Sequence, residues 1–520
     1  MKTLDGKNFL MILKYGFINL ETHIEELNRL NVFPVPDGDT GVNMAKTMSG
    51  VVNIDKVDTI SNISKECAAS ILQNSRGNSG TILATFYLSL AKSFKDLEEV
   101  TVNELLEALK VAHLTCYKAL ENPVEGTILT VMDDITKIDS MDSMEELFKS
   151  LVDIAYLSVS KTKNMLKQLK DNDVVDAGAL GFYYIIEGEY NALINNFSFF
   201  NNDELVSNTE LNSFDNDVYQ FRIEGIVKKN DDYYGLDKTD SLKDLLSSSS
   251  EVVSFNETDS LIKLRLYGND DNAIKAILSR FGIVLNYKVE NIRKIEDNDT
   301  VDSSIEIVST ITGDGFYSIY SDFNIEYCVM AEDFDASFGE YEKVINNINK
   351  KNIIILTNNK NNILTANLIK KQITNKNIYV LNTCNEAEGL IALSYFDEEL
   401  PIEENISNME NGLESAKTFR VSKALKNYSD EKISVNKGEW VLLDGNNPIY
   451  SSVDIYYLIS KIKKEVEDYN IISLFYGDTL DEEKANRFKD ILDKETNYSK
   501  DIYLYEGGQK LYAFIISLEK

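Results

Sequence analysis

The 520-residue chain contains few of the residues that build covalent or thiolate-based sites: four cysteines, two histidines, one tryptophan and five prolines. The cysteines are scattered and show no C-x-x-C spacing, which argues against a disulfide framework and against a thiolate zinc site. Basic residues are also outnumbered. The chain has 53 Lys and Arg against 85 Asp and Glu, which gives a formal net charge of −32. This charge argues against nucleic-acid binding, since phosphate backbones require a basic surface.

Long apolar runs are missing as well. No stretch of about 18 apolar residues occurs, which predicts that the chain has no transmembrane helix. The first six residues become polar too early for a signal peptide. We therefore expect a cytoplasmic protein without stable membrane insertion. The apolar fraction of 43% is enough for ordinary globular cores, and the length permits roughly two to four domains.

The most informative stretch runs from Asn31 to Met44 and reads Asn-Val-Phe-Pro-Val-Pro-Asp-Gly-Asp-Thr-Gly-Val-Asn-Met. Asp37 and Asp39 flank a glycine, so two carboxylates project from one tight bend, and two prolines stiffen the approach to it. Mg²⁺ is usually bound by one or two carboxylates plus substrate phosphates, and the Thr40 hydroxyl and Asn43 amide are further oxygen donors. A bare Asp-Gly-Asp is more often a surface turn. The stiff flanks and three further loops favour a Mg²⁺ site here.

These three loops lie at predicted helix ends: Arg76–Gly80 (Arg-Gly-Asn-Ser-Gly), Asn122–Thr127 (Asn-Pro-Val-Glu-Gly-Thr) and Val175–Gly181 (Val-Asp-Ala-Gly-Ala-Leu-Gly). Backbone N–H groups at a helix N-terminus, assisted by the helix dipole, bind anions. Seen singly, each loop is better explained as an interhelical turn. Four such loops in one segment are better explained by one shared ligand.

These motifs make residues 1–195 similar to the ATP-binding L-subunit domain of the dihydroxyacetone kinases. The variant in this chain resembles, more closely, the ATP-binding subunit of bacterial fatty acid kinase. The resemblance is close over the first 195 residues and loose over the whole chain. It implies an up-and-down helical barrel that holds Mg-ATP at one rim.

The resemblance also implies roles for individual residues. Asp37 and Asp39 would ligate Mg²⁺, with Asn31 near the place of a third ligand, and Asp37, Asp39 and Thr40 would form the catalytic group. The nucleotide would be lined by Thr40, Asn43, Met44, Asn78, Ser79, Gly80, Thr127, Asp176 and Gly178.

The pattern of apolar residues divides the chain into three parts. Residues 1–195 show helical spacing and short loops, which predicts an all-α domain, and residues 196–217 have the composition of a linker. Residues 218–295 follow the strand-helix-strand-strand-helix-strand order of a ferredoxin-like α+β domain. Residues 303–520 alternate strands and helices, which predicts a mostly parallel α/β region. A further unit is expected after about residue 401.

Two local signals in the last part support specific expectations. Glu506–Gln509 contains two glycines between two short strands, which predicts a hairpin. Thr312–Phe316 (Thr-Gly-Asp-Gly-Phe) is better interpreted as a strand-to-helix turn than as a phosphate loop.

The chain also departs from the relatives it resembles. Some members of that family carry a cysteine ahead of the first strand of the middle domain and a His-x-His pair on the third strand. Here the corresponding positions fall near Val218 and in Arg265–Asp270, and the two histidines, His23 and His113, lie in the first domain. A zinc site is therefore not expected. A Gly-Gln-Thr-Met-Asn-Pro-Ser-like loop of the C-terminal region is replaced by Glu332–Phe338.

The residue inventory favours a carboxylate as phosphoryl acceptor. A hydroxyl acceptor usually needs a base or a covalent anchor, and the dihydroxyacetone kinases use a histidine of a separate subunit, for which this chain has no candidate. A carboxylate is already ionised near pH 7. Together with this inventory, the resemblance implies ATP-dependent phosphorylation of a fatty acid carboxylate, giving acyl phosphate for phospholipid synthesis.

The resemblance further implies a separate fatty-acid-binding carrier protein, because no groove for a fatty chain is visible in the sequence. Residues from about 303 onward would then form the docking surface. All four loops lie before residue 200, so a fragment ending there is expected to bind ATP. Two alternatives stay open: a kinase of the same fold that acts on dihydroxyacetone or another hydroxylated small molecule, and a nucleotide-binding regulatory scaffold without catalysis. Formation of a homodimer is also left open.

Overall fold

The computed structural model describes residues 1–30, 39–55, 58–120, 122–195, 221–229, 242, 245–246, 250–257, 261–291, 304–331, 335–430 and 432–520. The chain divides into two compact units, residues 1–205 together with 302–520, and residues 206–301. Asn31 and Asp37 of the predicted metal site lie outside the described residues, as does the predicted linker, residues 196–217.

The N-terminal region is helical apart from a short antiparallel ribbon of β1 (Thr3–Asp5) and β2 (Glu99–Thr101). Its described helices are α1 (Gly6–Thr22), α2 (Ile24–Arg29), α3 (Thr40–Met48), α4 (Ile60–Asn74), α5 (Gly77–Ser93), α6 (Val102–Ala119), α7 (Ile128–Ile135), α8 (Met144–Thr162), α9 (Lys167–Asp171) and α10 (Ala177–Ile194). Local sequence sets several starts: Asp5 caps α1, and Thr101 with Glu104 forms a capping box before α6. The prediction of a helical N-terminal region is confirmed.

These helices share one apolar core. Helices α1 and α10 approach each other closely, because a Cβ on Gly188 would lie 2.6 Å from the Tyr15 carbonyl oxygen, so the two helices can meet there only at a glycine. Its neighbour Glu189 is only 8% exposed. Glu189 lines a cavity of about 40 Å³ together with apolar side chains such as Phe86 and Phe182.

The second unit contains a four-stranded antiparallel sheet and a helix. Its described elements are β3 (Phe221–Lys229), β4 (Ser250–Glu257), β5 (Leu261–Gly268), α11 (Asp271–Phe281) and β6 (Gly282–Asn291), and residues 242, 245 and 246 are also helical. The sheet order is β4-β5-β3-β6, which is the strand arrangement of a split βαβ fold. Apolar residues of the strands and of α11, including Ile223, Leu264 and Ile274, form its core.

The C-terminal region begins with a parallel sheet. Its elements are β7 (Ile305–Ile311), α12 (Asp314–Asp322), β8 (Tyr327–Met330), α13 (Phe338–Asn346), β9 (Asn352–Leu356), α14 (Asn362–Gln372), β10 (Asn377–Leu381), α15 (Glu386–Ser394) and α16 (Ile402–Ser415). The order is β10-β9-β7-β8 and each pairing is parallel. The four carboxyl ends therefore lie at one edge, where parallel sheets usually bind ligands.

A second, mixed sheet completes this region. Its strands are β11 (Lys417–Lys423), β14 (Trp440–Asp444), β15 (Asn447–Ser452), β16 (Ile471–Tyr476), β17 (Asp501–Glu506) and β18 (Phe514–Glu519), with a ribbon of β12 (Tyr428–Ser429) and β13 (Ser434–Val435) and helices α17 (Ile459–Glu465) and α18 (Glu482–Glu495). The order is β15-β14-β11-β18-β16-β17. The prediction of a C-terminal α/β region is confirmed.

Two finer predictions for this region are wrong. The second sheet is not mostly parallel, because among its described strands β16 and β17 are the only neighbours that pair in parallel, and the other four pairings are antiparallel. The last two strands do not form a hairpin, because β16 lies between them and pairs with both. The turn at Glu506–Gln509 instead packs on the start of α12, where the Phe316 N–H donates to the Gly507 carbonyl oxygen at 3.0 Å. Pairing with a distant strand overrides the local turn signal.

The helical region and the parallel sheet pack against each other through α13 on α4 and α14 on α5. Leu364 of α14 reaches the helical core, and Leu72 of α4 reaches the core of the parallel sheet. This contact joins them within the first unit and places the sheet beside the loop that opens α5. Within the described part of the chain, no helix has the length and apolarity that crossing a membrane requires.

Candidate functional site

Four helices of the N-terminal region begin close together: α3, α5, α7 and α10. A Cβ on Gly178 at the start of α10 would lie 3.0 Å from the Ser79 hydroxyl oxygen in the first turn of α5. A Cβ on Gly77 would lie 2.5 Å from the side-chain nitrogen of Asn43 in α3. The Ile128 backbone N–H at the start of α7 donates to Asp176. The loops that the sequence singled out are therefore gathered at one end of the helical bundle, as far as they are described.

The α3 start provides the described part of the predicted metal loop. Asp39 is the residue before the helix, it is partly exposed, and its side chain makes no capping bond to α3. Its carbonyl oxygen accepts from the Asn43 N–H at 2.7 Å. Thr40 is the first helical residue and is also partly exposed. The Asp39 carboxylate and the Thr40 hydroxyl thus place oxygen atoms that can ligate a metal ion at a helix N-terminus.

The α5 start is built from residues with little or no side chain. Gly77 has φ +61°, a backbone conformation that glycine adopts without strain. Asn78 is exposed and Ser79 is partly exposed. Gly80 packs on α3, since a Cβ there would lie 2.3 Å from the Thr47 hydroxyl oxygen. The backbone can therefore approach a ligand closely at Asn78 and Ser79.

Side-chain caps define the other two helix starts. The Thr127 hydroxyl accepts from the Leu129 N–H at 3.4 Å before α7, and Asp176 accepts from the Ala179 N–H at 2.7 Å before α10. Burial raises the pKa of the Asp176 carboxyl to about 6, although bonds from the N–H groups of Ala179, Ile128 and Gly178 oppose the rise. A cationic ligand near Asp176 would favour its ionised form.

Met44 occupies a different environment from the other predicted nucleotide residues. It is 0% exposed and belongs to the helical core. Its sulfur would lie 2.7 Å from a Cβ placed on Gly181. The Met44 side chain therefore packs α3 against α10 and offers no surface to a ligand. Met44 follows Asn43 directly in α3, so its side chain points about 100° further around the helix axis, toward the core that α3 shares with α10.

The C-terminal region contributes a residue that the sequence did not identify as functional. Asp335 is 1% exposed, and its Oδ2 accepts from the side-chain nitrogen of Asn43 at 2.8 Å. The same carboxylate accepts from Asn359 at 3.0 Å and from Asn361 at 3.3 Å. Asn361 in turn accepts from Asn78 at 3.4 Å. The signal available in the sequence was the altered Glu332–Phe338 loop, of which Glu332, Asp333 and Phe334 lie outside the described residues.

A polar cavity of about 290 Å³ lies at the carboxyl edge of the parallel sheet. Its walls come from the loops after β7, β9 and β10, from Arg420 and Tyr512 of the mixed sheet, and from Asp39 and Asp335. Glu386 is 4% exposed, and burial raises the pKa of its carboxyl to about 7 although bonds from Thr312 oppose the rise. The interpretation of Thr312–Phe316 as a strand-to-helix turn is confirmed, because β7 and α12 flank it.

The arrangement of the four helix starts determines what kind of ligand they can bind. Helix N-termini that converge on one point favour an anion with several oxygens, such as a polyphosphate. Asp39 and Thr40 add the oxygen ligands that Mg²⁺ prefers. Among the residues that the structure describes, no group of three or more His, Cys, Asp or Glu side chains is arranged to hold a metal ion without further ligands. The donors present fit a metal that shares its ligands with a phosphate chain.

Comparison with known proteins identifies two domains. Residues 34–191 match the DAK2 domain, and residues 306–519 match the FakA-like C-terminal domain of fatty acid kinase. An uncharacterized protein of Staphylococcus epidermidis is 27% identical, with 99% of each chain covered. Protein YloV of Bacillus subtilis is 25% identical, with 100% of each chain covered. A fatty-acid-binding DegV family protein from Thermus thermophilus is 11% identical over 42% of this chain and 100% of its own, with a TM-score of 0.32.

Proposed function

We propose, from the premise that the chain belongs to the FakA-like family of fatty acid kinase proteins, that it is the ATP-binding component of a two-protein kinase. It would transfer the γ-phosphate of Mg-ATP to the carboxylate of a fatty acid presented by a separate acyl-binding protein. The observation that carries this proposal is the convergence of the α3, α5, α7 and α10 starts beside Asp39. Kinase-type activity is also what the two matching families imply.

Nucleotide binding would use backbone groups more than side chains. The first N–H groups of a helix have no partner within the helix, and those of α5 are reached through the exposed Asn78 and the partly exposed Ser79. Thr40, Asn43, Thr127, Asp176 and Gly178 would complete the lining. Asp39, with Asp37, would hold Mg²⁺, which supplies charge neutralisation at the β- and γ-phosphates.

The reaction itself needs little covalent help from the protein. A carboxylate oxygen of the acceptor forms a bond to the γ-phosphorus, the bond from that phosphorus to the β–γ bridging oxygen breaks, and ADP leaves with the electron pair. No proton is transferred, because a carboxylate is already ionised near pH 7. This fits a site in which the described residues include no histidine: His23 stacks on Tyr184, and His113 lies beside Asp133. Catalysis then depends on positioning and on neutralising charge.

The acyl-binding partner is expected to carry a basic surface. The chain has a formal net charge of −32, so electrostatic attraction would steer a basic partner to it and association would weaken as salt rises. In the α/β region, the tyrosines Tyr498, Tyr503 and Tyr505 are among the exposed aromatic residues. Aromatic residues of this kind are enriched at protein interfaces.

The test is an acyl phosphate assay with the full-length protein. Acyl-binding proteins are captured from the native cell lysate, loaded with fatty acid and incubated with the protein and Mg-ATP, and acyl phosphate is trapped with hydroxylamine. Acyl hydroxamate that requires both proteins is the expected result. Phosphorylation of dihydroxyacetone without any partner would instead favour a kinase of hydroxylated small molecules. ATP binding with no transfer to either acceptor would favour a regulatory scaffold.

A further inference from the structure

We infer that the polar cavity at the carboxyl edge of the parallel sheet is a binding site for the oxyanion end of the acyl acceptor, an inference that rests on the proposed function. The cavity has a volume of about 290 Å³, and its lining includes Asp39, Lys360 and Arg420. It is therefore continuous with the described part of the candidate metal loop. A group bound in it would lie next to the residue that is proposed to hold Mg²⁺.

The topology of the sheet makes this cavity favourable for an anion. The loops after β7, β9 and β10 supply Thr312, Lys360 and Glu386 to its wall, and each loop leads into a helix, α12, α14 and α15. Because the strands are parallel, all three helices begin at the same edge. Their positive dipole ends therefore lie around the cavity.

The carboxylates of the cavity already have hydrogen-bond donors. Asp335 accepts from the amide groups of Asn43, Asn359 and Asn361. Glu386 accepts from the Thr312 N–H at 3.0 Å and also from the Thr312 hydroxyl. Donors in these numbers disperse the negative charge of both groups. The positive charge of Arg420 also opposes the rise that burial causes in the pKa of Glu386.

The cavity lining also contains two cationic side chains, Lys360 and Arg420. Arg420 donates to the Tyr512 hydroxyl at 2.7 Å, to the Gly445 carbonyl oxygen at 2.6 Å and to the Asn446 side-chain oxygen at 2.9 Å. All three acceptors are neutral. A guanidinium has five N–H donors, so donors remain for a ligand, and the bonds and the Tyr512 ring hold the group in place. Lys360 is exposed, and its positive charge acts on the Cys384 thiol, another group of the cavity wall.

The size of the cavity limits what part of an acceptor it can take. The volume of about 290 Å³ lies at the lower end of the range of about 300–1,000 Å³ for sites that enclose drug-sized ligands, so the cavity has room for the carboxylate end of an acyl chain. The chain itself would stay with the partner protein. Arg420, a fixed guanidinium, is suited to bidentate recognition of a carboxylate. A free phosphate shares the same chemistry and must be distinguished by experiment.

The first experiment compares variants of the full-length protein in the acyl phosphate assay. Lys360→Gln and Arg420→Gln are each expected to lower kcat/KM for the carrier-bound fatty acid by about 10-fold or more, because a charge-assisted bond to the acceptor is lost. Arg420→Lys should recover part of the loss. The affinity for Mg-ATP, measured directly by calorimetry, should be unchanged. The matched control is Lys351→Gln, an exposed lysine of the same region that does not line the cavity.

The second experiment needs no catalysis. The melting temperature of wild type and variants is measured with hexanoate, inorganic phosphate or the neutral hexanamide, each at tens of millimolar. Hexanoate should stabilise wild type, hexanamide should not, and Lys360→Gln and Arg420→Gln should lose the effect. Lys360 is exposed, so its variant stays informative if the Arg420 variants fail to fold.

The two readouts separate this inference from the proposed function. Full kcat/KM in Lys360→Gln and Arg420→Gln overturns the inference while the proposed function stands. Stabilisation by phosphate alone, or by no anion, also overturns the assignment to an acceptor carboxylate. If wild type makes no acyl phosphate but hexanoate stabilises it through Lys360 and Arg420, the proposed function fails and the carboxylate site remains.

Discussion

The helical region and the parallel sheet both gather helix N-termini, but they do so by different means. In the helical region, α3, α5, α7 and α10 begin together because individual residues end one element and start the next: a left-handed Gly77 opens α5, Thr127 caps α7, and Asp176 caps α10. In the parallel sheet, α12, α14 and α15 begin together because each follows a strand that runs in the same direction. The first site is marked by local motifs, and the second is a consequence of topology.

The two regions also treat a buried glutamate differently. Glu189 lies in the apolar helical core, where the Tyr87 hydroxyl at 3.3 Å is its partner among the described contacts, and burial raises its pKa to about 8. Glu386 lies at the polar cavity, where several hydrogen bonds limit the effect of burial and its pKa rises only to about 7. The comparison shows that a polar site accommodates a buried carboxylate better than an apolar core does.

The largest effect is expected from changes in the metal loop, because the helical region, and not the parallel sheet, is proposed to bind the nucleotide. Asp39→Ala, and likewise Asp37→Ala, should reduce turnover by at least about 100-fold, since charge neutralisation at the phosphates is lost. Circular dichroism should be unchanged, because Asp39 makes no capping bond to α3. The control is Asp153→Ala on the exposed face of α8. Near-normal kcat at saturating Mg²⁺ and ATP would show that the metal assignment is wrong.

The next largest effect is expected from breaking the contact between the parallel sheet and the helical region at Asp335. Asp335→Ala removes the acceptor of the buried Asn43 amide and one acceptor of the partly buried Asn359 and Asn361 amides. A buried group left unpaired costs about 1–3 kcal/mol. We expect a lower melting temperature and an Mg-ATP affinity reduced about 10-fold. A double-mutant cycle with Asn43→Ala should give a coupling energy of about 1 kcal/mol, and Asp322→Ala is the exposed control. Additive effects in the cycle would mean that Asp335 does not position Asn43.

The same contact refines the expectation for a fragment ending near residue 200. Such a fragment keeps the four loops but loses three contacts with the sheet: Asn43 with Asp335, Asn78 with Asn361, and Thr81 with Thr365. It should still bind ATP, but more weakly than the full chain. Equal affinity in calorimetry would show that the parallel sheet has no influence on the nucleotide loops.

A smaller effect is expected from Glu189. Between its ordinary pKa of 4.5 and its folded value of about 8, the folded state holds a proton that the unfolded chain has released. Folding therefore takes up a proton in this window, and stability falls as the pH rises from about 4.5 to about 8. Glu189→Gln removes this titration, so its melting temperature should fall less over the same pH range than that of wild type. Glu21→Gln, an exposed change, should follow wild type, and parallel curves for Glu189→Gln and wild type would contradict the prediction.

The smallest effect is expected from chelation of zinc. Residues 218–295 contain no cysteine and no histidine, so the purified protein should contain no stoichiometric zinc. Its melting temperature without nucleotide should not change on addition of a chelator. One zinc per chain by elemental analysis would contradict this and would point to carboxylate ligands.

Local chemistry made much of the helical region and its candidate site predictable. Helix caps, glycines with positive φ and the 3.6-residue spacing act within a few residues of one another, so the sequence indicates them directly. The loops at Arg76, Asn122 and Val175 were identified in this way, and the structure brings their helix starts together. Met44 shows the limit of this approach, because which face of a helix is buried depends on the elements that pack against it.

The tertiary structure alone decided the remaining features. β16 separates the last two strands although their turn predicts a hairpin. Asp335 meets Asn43 across 292 positions of the chain. The polar cavity is assembled from four loops of the parallel sheet, from segments of the mixed sheet such as Arg420 and Tyr512, and from the metal loop. Each of these depends on which distant segments pair or pack, and that choice is made by the summed burial of whole elements rather than by any local signal.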